Sequence, residues 1–138
     1  MIFDSCIWVA LAANQLDRQA VIEAAGDAPV FTSVISFGEL SFGVHSCPDP
    51  AERAMRAAYL RQIEGSPALG VSQNTASAFG VLAAAVKQAD RSPRPRYNDL
   101  WIAAQAIEHG YALLTLNPRD FGGLPGLRLA TLSPWVQG

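Results

Sequence analysis

Short apolar runs alternate with longer mixed stretches along the chain, and this pattern predicts strands that alternate with helices. Each of these runs is shorter than a typical helix. The candidate strands are residues 2–3, 30–32, 68–71, 112–116 and 127–130. Strands that alternate with helices are typical of an α/β fold with a mostly parallel central sheet.

Residues that typically begin or end helices occur between these apolar runs. Ser5 and Ser33 are candidate N-caps, and Pro50 suits the first turn of a helix. Gly110 is expected to end the last helix. Residues 91–96 contain two prolines, so they are predicted to form a loop. The predicted helices span residues 7–13, 17–25, 34–44, 50–63 and 74–89, with a further helix capped by Asn98 or Asp99 and ending at His109.

The composition is that of a globular domain, and 138 residues suit one domain spanning 1–138. A net charge of −2 argues against attachment to nucleic acid by bulk charge, although it permits a nuclease with one focused site. Two cysteines are too few for a disulfide scaffold, and Cys6 is expected to be a small buried residue rather than a nucleophile. With no evident signal peptide or membrane span, a cytoplasmic protein is expected.

Four acidic residues lie where a charge should be costly: Asp4, Glu39, Asp99 and Asp120. Asp4 ends the first predicted strand, and Asp120 follows the strand at 112–116. Glu39 and Asp99 lie on mostly apolar helix faces. Sites in parallel sheets form beyond the carboxyl ends of the strands. Clustered carboxylates repel by about 4 kcal/mol per pair at ~4 Å and an effective dielectric of ~20, so a hard divalent cation is the natural counter-charge.

Each acid also has a simpler explanation. Asp4 and Asp99 suit a turn or a helix cap, although Asn98 offers a second capping group beside Asp99. Glu39 fits a partly exposed face or an arginine pair.

The segment after the strand at 112–116 leaves two candidates for a fourth ligand. Asn117, Pro118 and Asp120 resemble a capping arrangement, so Asp120 is either a cap or a ligand. Asn117 and Thr115 offer neutral oxygens to a metal ion or to its waters. Whether Asp120 or Asn117 completes the pocket stays open.

One basic cluster, formed by Arg91, Arg94 and Arg96, immediately precedes Asp99. A proline-stiffened basic loop beside an acidic metal pocket would suit a phosphate backbone, and the alternative is a solvated loop. The chain has neither a phosphate-binding glycine–lysine loop nor a dinucleotide-binding glycine motif. No serine has a histidine partner in a recognisable motif, so triad chemistry has little support.

Taken in order, the segments that carry these acids resemble a PIN domain, and specifically the VapC toxin endonucleases of bacterial toxin–antitoxin pairs. The resemblance covers nearly the whole chain. It is carried by residues 1–5, 32–44, 98–106 and 114–121, followed by 124–127.

This resemblance implies a single three-layer α/β/α PIN-like domain with a mostly parallel central sheet. It implies that Asp4 and Asp99 hold a magnesium ion, with manganese as a substitute, and that Glu39 binds this ion or a second one, or orients its water. Asp120 matches a more variable fourth acid. The implied activity is RNA cleavage by a homodimer, which is inhibited by a small antitoxin that inserts a segment near the pocket.

Two other classes of protein compete with this interpretation. One is a catalytically silent module that keeps the fold for binding RNA or protein and uses its acids as caps. The other is a phosphoacceptor receiver-like domain, which usually needs a lysine after a late strand. The sole lysine, Lys87, lies mid-helix, so the receiver hypothesis is disfavoured.

Overall fold

A fully parallel five-stranded sheet forms the centre of the computed structural model, which describes residues 1–132. The strand order is β3-β2-β1-β4-β5, so the first strand of the chain lies in the middle of the sheet. All four strand pairings are parallel. The strands are β1 (Ile2–Phe3), β2 (Phe31–Ser33), β3 (Ala68–Leu69), β4 (Leu113–Thr115) and β5 (Leu129–Thr131).

Helices connect these strands, as the alternation of apolar runs predicted. Short 3-10 turns at Arg94–Arg96 and Pro118–Asp120 complete the connections. The helices are α1 (Ser5–Ala12), α2 (Arg18–Ala25), α3 (Val34–His45), α4 (Pro50–Glu64), α5 (Gln73–Gln88) and α6 (Tyr97–His109).

The two faces of the sheet build separate hydrophobic clusters, because successive residues of a strand point to opposite faces. Ile2 and Leu113 pack with residues of α5 and α6, whereas Phe3 and Leu114 pack with residues of α1 and α2. The sheet therefore lies between two helical layers. This arrangement confirms the predicted three-layer α/β/α fold with a parallel sheet.

The register of the sheet aligns the carboxyl ends of its central strands. Phe3 pairs with Thr32 on one side and with Leu114 on the other. The residues that follow these positions, Asp4, Ser33 and Thr115, therefore lie at one edge. All three are buried.

A buried amide fastens the edge strand β3. Gln105 lies on α6 and is fully buried, and its Nε2 donates to the carbonyl oxygens of Leu69 and Gly70 at 2.9 and 3.0 Å. This contact ties the end of a two-residue strand to the longest buried stretch of α6.

Several helix boundaries follow the predicted caps. Ser33 caps α3 by accepting the Ile35 N–H at 3.0 Å, and Pro50 occupies the first turn of α4. Gly110 ends α6 in the left-handed conformation, with φ +69°.

Three sequence-based expectations were wrong. Asp4, rather than Ser5, is the N-cap of α1, and its carboxylate accepts the Ser5 N–H. Neither Asn98 nor Asp99 caps α6, because that helix already begins at Tyr97. The 91–96 segment is not wholly a loop, because its second proline, Pro95, fits a 3-10 turn that leads directly into the helix.

No helix within residues 1–132 combines the length and the apolarity needed to cross a membrane.

Two Gly→Ala substitutions should change stability in opposite directions. A Cβ would meet nothing within 4 Å at either Gly110 or Gly80. Gly110→Ala should nevertheless cost about 1–2 kcal/mol, because an L-residue is strained at positive φ. Gly80→Ala lies inside α5 and should add about 0.5–1 kcal/mol. Urea unfolding of both variants measures the difference. Equal effects would show that backbone conformation does not govern these sites.

Candidate active site

Asp4 is the most deeply buried acid of the predicted cluster, with 5% of its surface exposed. Its position directly after the central strand places it at the middle of the sheet's carboxyl edge. Three donors hold its carboxylate. Oδ1 accepts the Ser5 N–H at 2.8 Å, whereas Oδ2 accepts the Thr115 hydroxyl at 2.9 Å and the Cys6 thiol at 3.3 Å.

The donors to Oδ2 are themselves positioned by backbone groups that follow β4. Thr115 Oγ1 accepts the Asn117 N–H at 3.0 Å, and Cys6 Sγ accepts the Leu116 N–H at 3.4 Å. Thr115 therefore orients the Asp4 carboxylate, a role that the sequence-based proposal of a water-positioning hydroxyl did not include.

Cys6 is a partly buried donor at the site rather than a passive core residue. Burial is the main cause that raises the pKa of its thiol to about 11, and the nearby Asp4 also raises it. The thiol therefore keeps its proton at neutral pH, as the expectation of a non-nucleophilic cysteine requires. The sequence signal for this contact was its position two residues after Asp4.

Glu39 projects from α3 toward the same edge. Burial raises its pKa, and the negative charges of Asp4 and Asp99 raise it further, while a hydrogen bond with Ser5 acts in the opposite direction. Its Oε1 is buried and has no hydrogen-bond partner within residues 1–132. The arginine partner allowed by the simpler explanation of Glu39 is therefore absent at this oxygen in the described part of the chain.

Asp99 lies in the first turn of α6 and completes the group. Its pKa is raised from 3.8 to about 6, mainly by burial and also by the negative charges of Asp4 and Asp120. Arg96 opposes this rise but does not cancel it. Asp4, Glu39 and Asp99 thus lie within electrostatic reach of one another and Asp120 within reach of Asp99, although the four acids come from four separate segments of the chain.

The segment after β4 brings Asp120 to this group. Asp120 is partly buried, and its backbone carbonyl accepts a hydrogen bond from Arg96 Nη1 at 3.2 Å. Asn117 precedes it and is exposed. Both residues follow the strand next to Asp4, and the choice between them as a fourth ligand stays a prediction.

A pocket of about 250 Å³ opens beside these acids, and its rim combines carboxylates with a basic residue and an aromatic ring. Arg94 contributes to the lining, whereas Arg91 is tied by its backbone N–H to the Val86 carbonyl at the end of α5. Tyr97 was not singled out from the sequence, although it lies two residues before Asp99. The lining residues are Glu39, Arg94, Pro95, Tyr97, Asn98 and Asp99.

A larger pocket of about 470 Å³ lies between α1 and α2, where Asn14, Leu16, Asp17 and Arg18 line it. Its one carboxylate is already engaged, because Asp17 Oδ1 caps α2 through the Gln19 N–H. The cluster of acids therefore makes the smaller pocket the better candidate for chemistry.

The donor set suits a hard divalent cation. Carboxylate oxygens are the ligands that Mg²⁺ prefers, and the unpartnered Glu39 Oε1 is a free acceptor. Within residues 1–132, however, no group of three or more His, Cys, Asp or Glu side chains is already arranged to hold a metal ion. A cation here would rely on fewer direct protein ligands and on retained waters, which Mg²⁺ commonly keeps.

Comparison with known proteins places the chain in a family. The PIN domain family model matches residues 1–125. The chain therefore belongs to the PIN-domain family.

Its relatives within that family are VapC proteins, as the sequence resemblance predicted. Ribonuclease VapC4 of Mycobacterium tuberculosis is 31% identical over 100 residues, which cover 72% of this chain and 75% of that protein. Ribonuclease VapC5 of the same organism is 29% identical over 126 residues, which cover 91% of this chain and 87% of that protein.

Solved structures agree with this assignment. VapBC-5 of Mycobacterium tuberculosis is similar with a TM-score of 0.75 and 28% identity, over 96% of both chains. VapBC2 of Rickettsia felis, solved with a DNA fragment, has the same fold, with a TM-score of 0.79 and 22% identity over 96% of this chain and 100% of that chain.

The raised pKa of Asp99 predicts that the free energy of unfolding decreases as the pH rises. Between pH 3.8 and about 6, the folded state binds more protons than the unfolded state. The stability associated with the protonated carboxyl is therefore lost as the pH rises through this range. Asp99→Asn should be more stable than the wild type above about pH 6. Urea midpoints measured in EDTA across this range test the expectation.

The exposed acid Asp27 provides the matched control. Asp27→Asn should follow the wild-type pH dependence. Parallel curves for Asp99→Asn and the wild type would contradict the electrostatic account of the pocket.

Proposed function

We propose that this protein is a metal-dependent endoribonuclease of the VapC toxin type, which cleaves RNA phosphodiester bonds with a metal-activated water. The observation that carries the proposal is the convergence of Asp4, Glu39 and Asp99 at the carboxyl edge of a PIN-domain sheet. There the charge of Asp4 raises the pKa of both Glu39 and Asp99. The names of the related VapC ribonucleases support the same activity.

Asp4 and Asp99 would hold the divalent ion, magnesium or manganese. When bound, the ion lowers the pKa of its water and neutralises charge that develops on the phosphate. Asp4 Oδ2 already accepts two hydrogen bonds and Oδ1 accepts one, so Oδ1 is the oxygen with room for a cation. The Thr115 and Cys6 donors fix the orientation of that carboxylate.

Glu39 suits a proton-accepting role. Its Oε1 has no partner in the described range, and its raised pKa brings it closer to the operating pH, as general-base catalysis favours. We propose that Glu39 Oε1 orients the attacking water and takes up its proton. Arg94 and Arg96 supply the positive charge that would hold the phosphate backbone beside the acids. Arg91, which is held at the end of α5, would contact only a more distant part of the RNA.

The proposed substrate is an unpaired segment of a folded RNA, because sequence-specific proteins mostly recognise unpaired bases. The proposed partners are a cognate antitoxin protein and a second copy of this chain. The antitoxin proposal is supported by solved relatives that are VapBC complexes.

An RNA cleavage assay tests the activity. Cleavage should require Mg²⁺ and should stop in EDTA. Asp4→Asn and Asp99→Asn should each lower kcat/KM by about 100-fold or more, since a single preorganised electrostatic contact is commonly worth that much. Asp27→Asn, at an exposed position, should leave the rate unchanged. Undiminished cleavage in EDTA or in either pocket variant would refute the assignment.

The alternative function is a catalytically silent PIN-fold module that binds RNA or protein. It is favoured by the absence, within residues 1–132, of three acids already arranged around an ion position. A silent module would not be stabilised by Mg²⁺, whereas a metal-binding site would stabilise the fold through linkage.

A thermal-shift titration separates these functions. At a free Mg²⁺ concentration about 100 times its Kd, a real site should add about 2.7 kcal/mol of stability. The Tm of the wild type should therefore rise with Mg²⁺, while the Tm of Asp4→Asn should not. Equal shifts in both proteins would indicate non-specific ion binding and would favour the silent module.

A further inference from the structure

An exposed aromatic ring stands on the rim of the acid pocket. Tyr97 is 41% exposed, and it lines the pocket together with Glu39, Arg94 and Asp99. It is the first residue of α6 and directly follows the 3-10 turn at Arg94–Arg96. Along the chain, Tyr97 therefore lies between the basic turn and Asp99, and all three segments contribute to the same pocket.

One aromatic residue, Phe79, packs against this ring, and a second, Trp101, packs against Phe79. Phe79 is stacked on Trp101, with ring centroids 4.0 Å apart and an interplanar angle of 14°. Tyr97 meets Phe79 in an edge-on pair, with centroids 5.4 Å apart and an angle of 69°. A T-shaped contact covers at most one face of Tyr97, so Phe79 leaves at least one face open.

An aromatic ring beside an arginine suits the binding of one nucleotide, which has both a base and a phosphate. Single strands are held where a basic groove follows the backbone and aromatic rings stack on the bases. Here Arg94 supplies a guanidinium on the same pocket rim, and Asp99 lies two residues along the helix. An apolar ligand alone would gain nothing from this arginine, and a simple anion would gain nothing from the ring.

We propose that Tyr97 forms a base-stacking subsite, which holds one unpaired nucleotide so that its neighbouring phosphate lies at the acid pocket. The inference deepens the proposed ribonuclease function and rests on it. Tyr97 acts as a binding residue, and its ring rather than its hydroxyl provides the contact. Stacking tolerates every base, so this subsite selects unpaired strands over duplex rather than one sequence.

Binding can be measured without cleavage. In an Asp99→Asn background and in EDTA, a short unpaired oligoribonucleotide that carries 2-aminopurine would be titrated against Tyr97→Phe and Tyr97→Leu. The Phe variant should bind as the parent does and should quench the fluorescent base. The Leu variant should bind roughly 5- to 100-fold more weakly, which is the effect expected from losing one stacked base, and should lose the quenching.

Tyr111→Leu is the matched control, because it removes a tyrosine that precedes β4 at the opposite edge of the sheet. It should leave RNA affinity unchanged, and circular dichroism should show that each variant is folded. If Tyr97→Leu binds the oligonucleotide as tightly as Tyr97→Phe does, the subsite is wrong.

The outcome is separable from the proposed activity. If the wild type cleaves no RNA in Mg²⁺ but Tyr97→Leu still loses affinity and quenching, then the ribonuclease proposal fails while the stacking subsite stands. If the wild type cleaves RNA and the Tyr97 variants bind alike, the activity stands and the subsite fails.

Discussion

Repulsion between partly buried carboxylates is the constraint around which this molecule is built. Asp4 lies at the middle of the sheet's carboxyl edge, and its charge raises the pKa of both Glu39 and Asp99. A fold that brings such groups together loses stability unless a proton or a cation reduces the charge. The surrounding structure therefore has to supply the free energy that holds them in place, and the parallel sheet between two hydrophobic clusters provides it.

The acids differ in how they are held and in how their pKa values respond to the repulsion. Asp4 accepts hydrogen bonds from Ser5, Cys6 and Thr115, so its orientation is fixed by the start of α1 and by the end of β4. Glu39 and Asp99 have raised pKa values and lie on two different helices, α3 and α6. In the proposed ribonuclease, Asp4 would be the ligand whose orientation is already fixed, and Glu39 and Asp99 would complete the site for the ion and the phosphate.

The features of the site that could be predicted are those that depend on residues close together in the sequence. Asp4 follows an apolar run, and Ser33 precedes a helical stretch, so strand ends and caps were visible in the sequence. The contacts of Thr115 and Cys6 with Asp4 depend on how β1 pairs with β4, which lie more than 100 residues apart, and no local pattern encodes that register. The early start of α6 was missed because the turn at Arg94–Arg96 contains a proline, which normally signals a break. The same error hid Tyr97 from the candidate site.

The short edge strand β3 has a consequence for how molecules of this protein meet one another. An exposed strand edge is a template on which further chains can add, and long flat edges promote aggregation. Here the edge consists of only Ala68–Leu69, and Gln105 occupies the carbonyl groups of Leu69 and Gly70 from inside the protein. Too little free backbone remains on this side to recruit another chain, so self-association of the folded protein has to use side-chain surfaces instead of strand addition at β3.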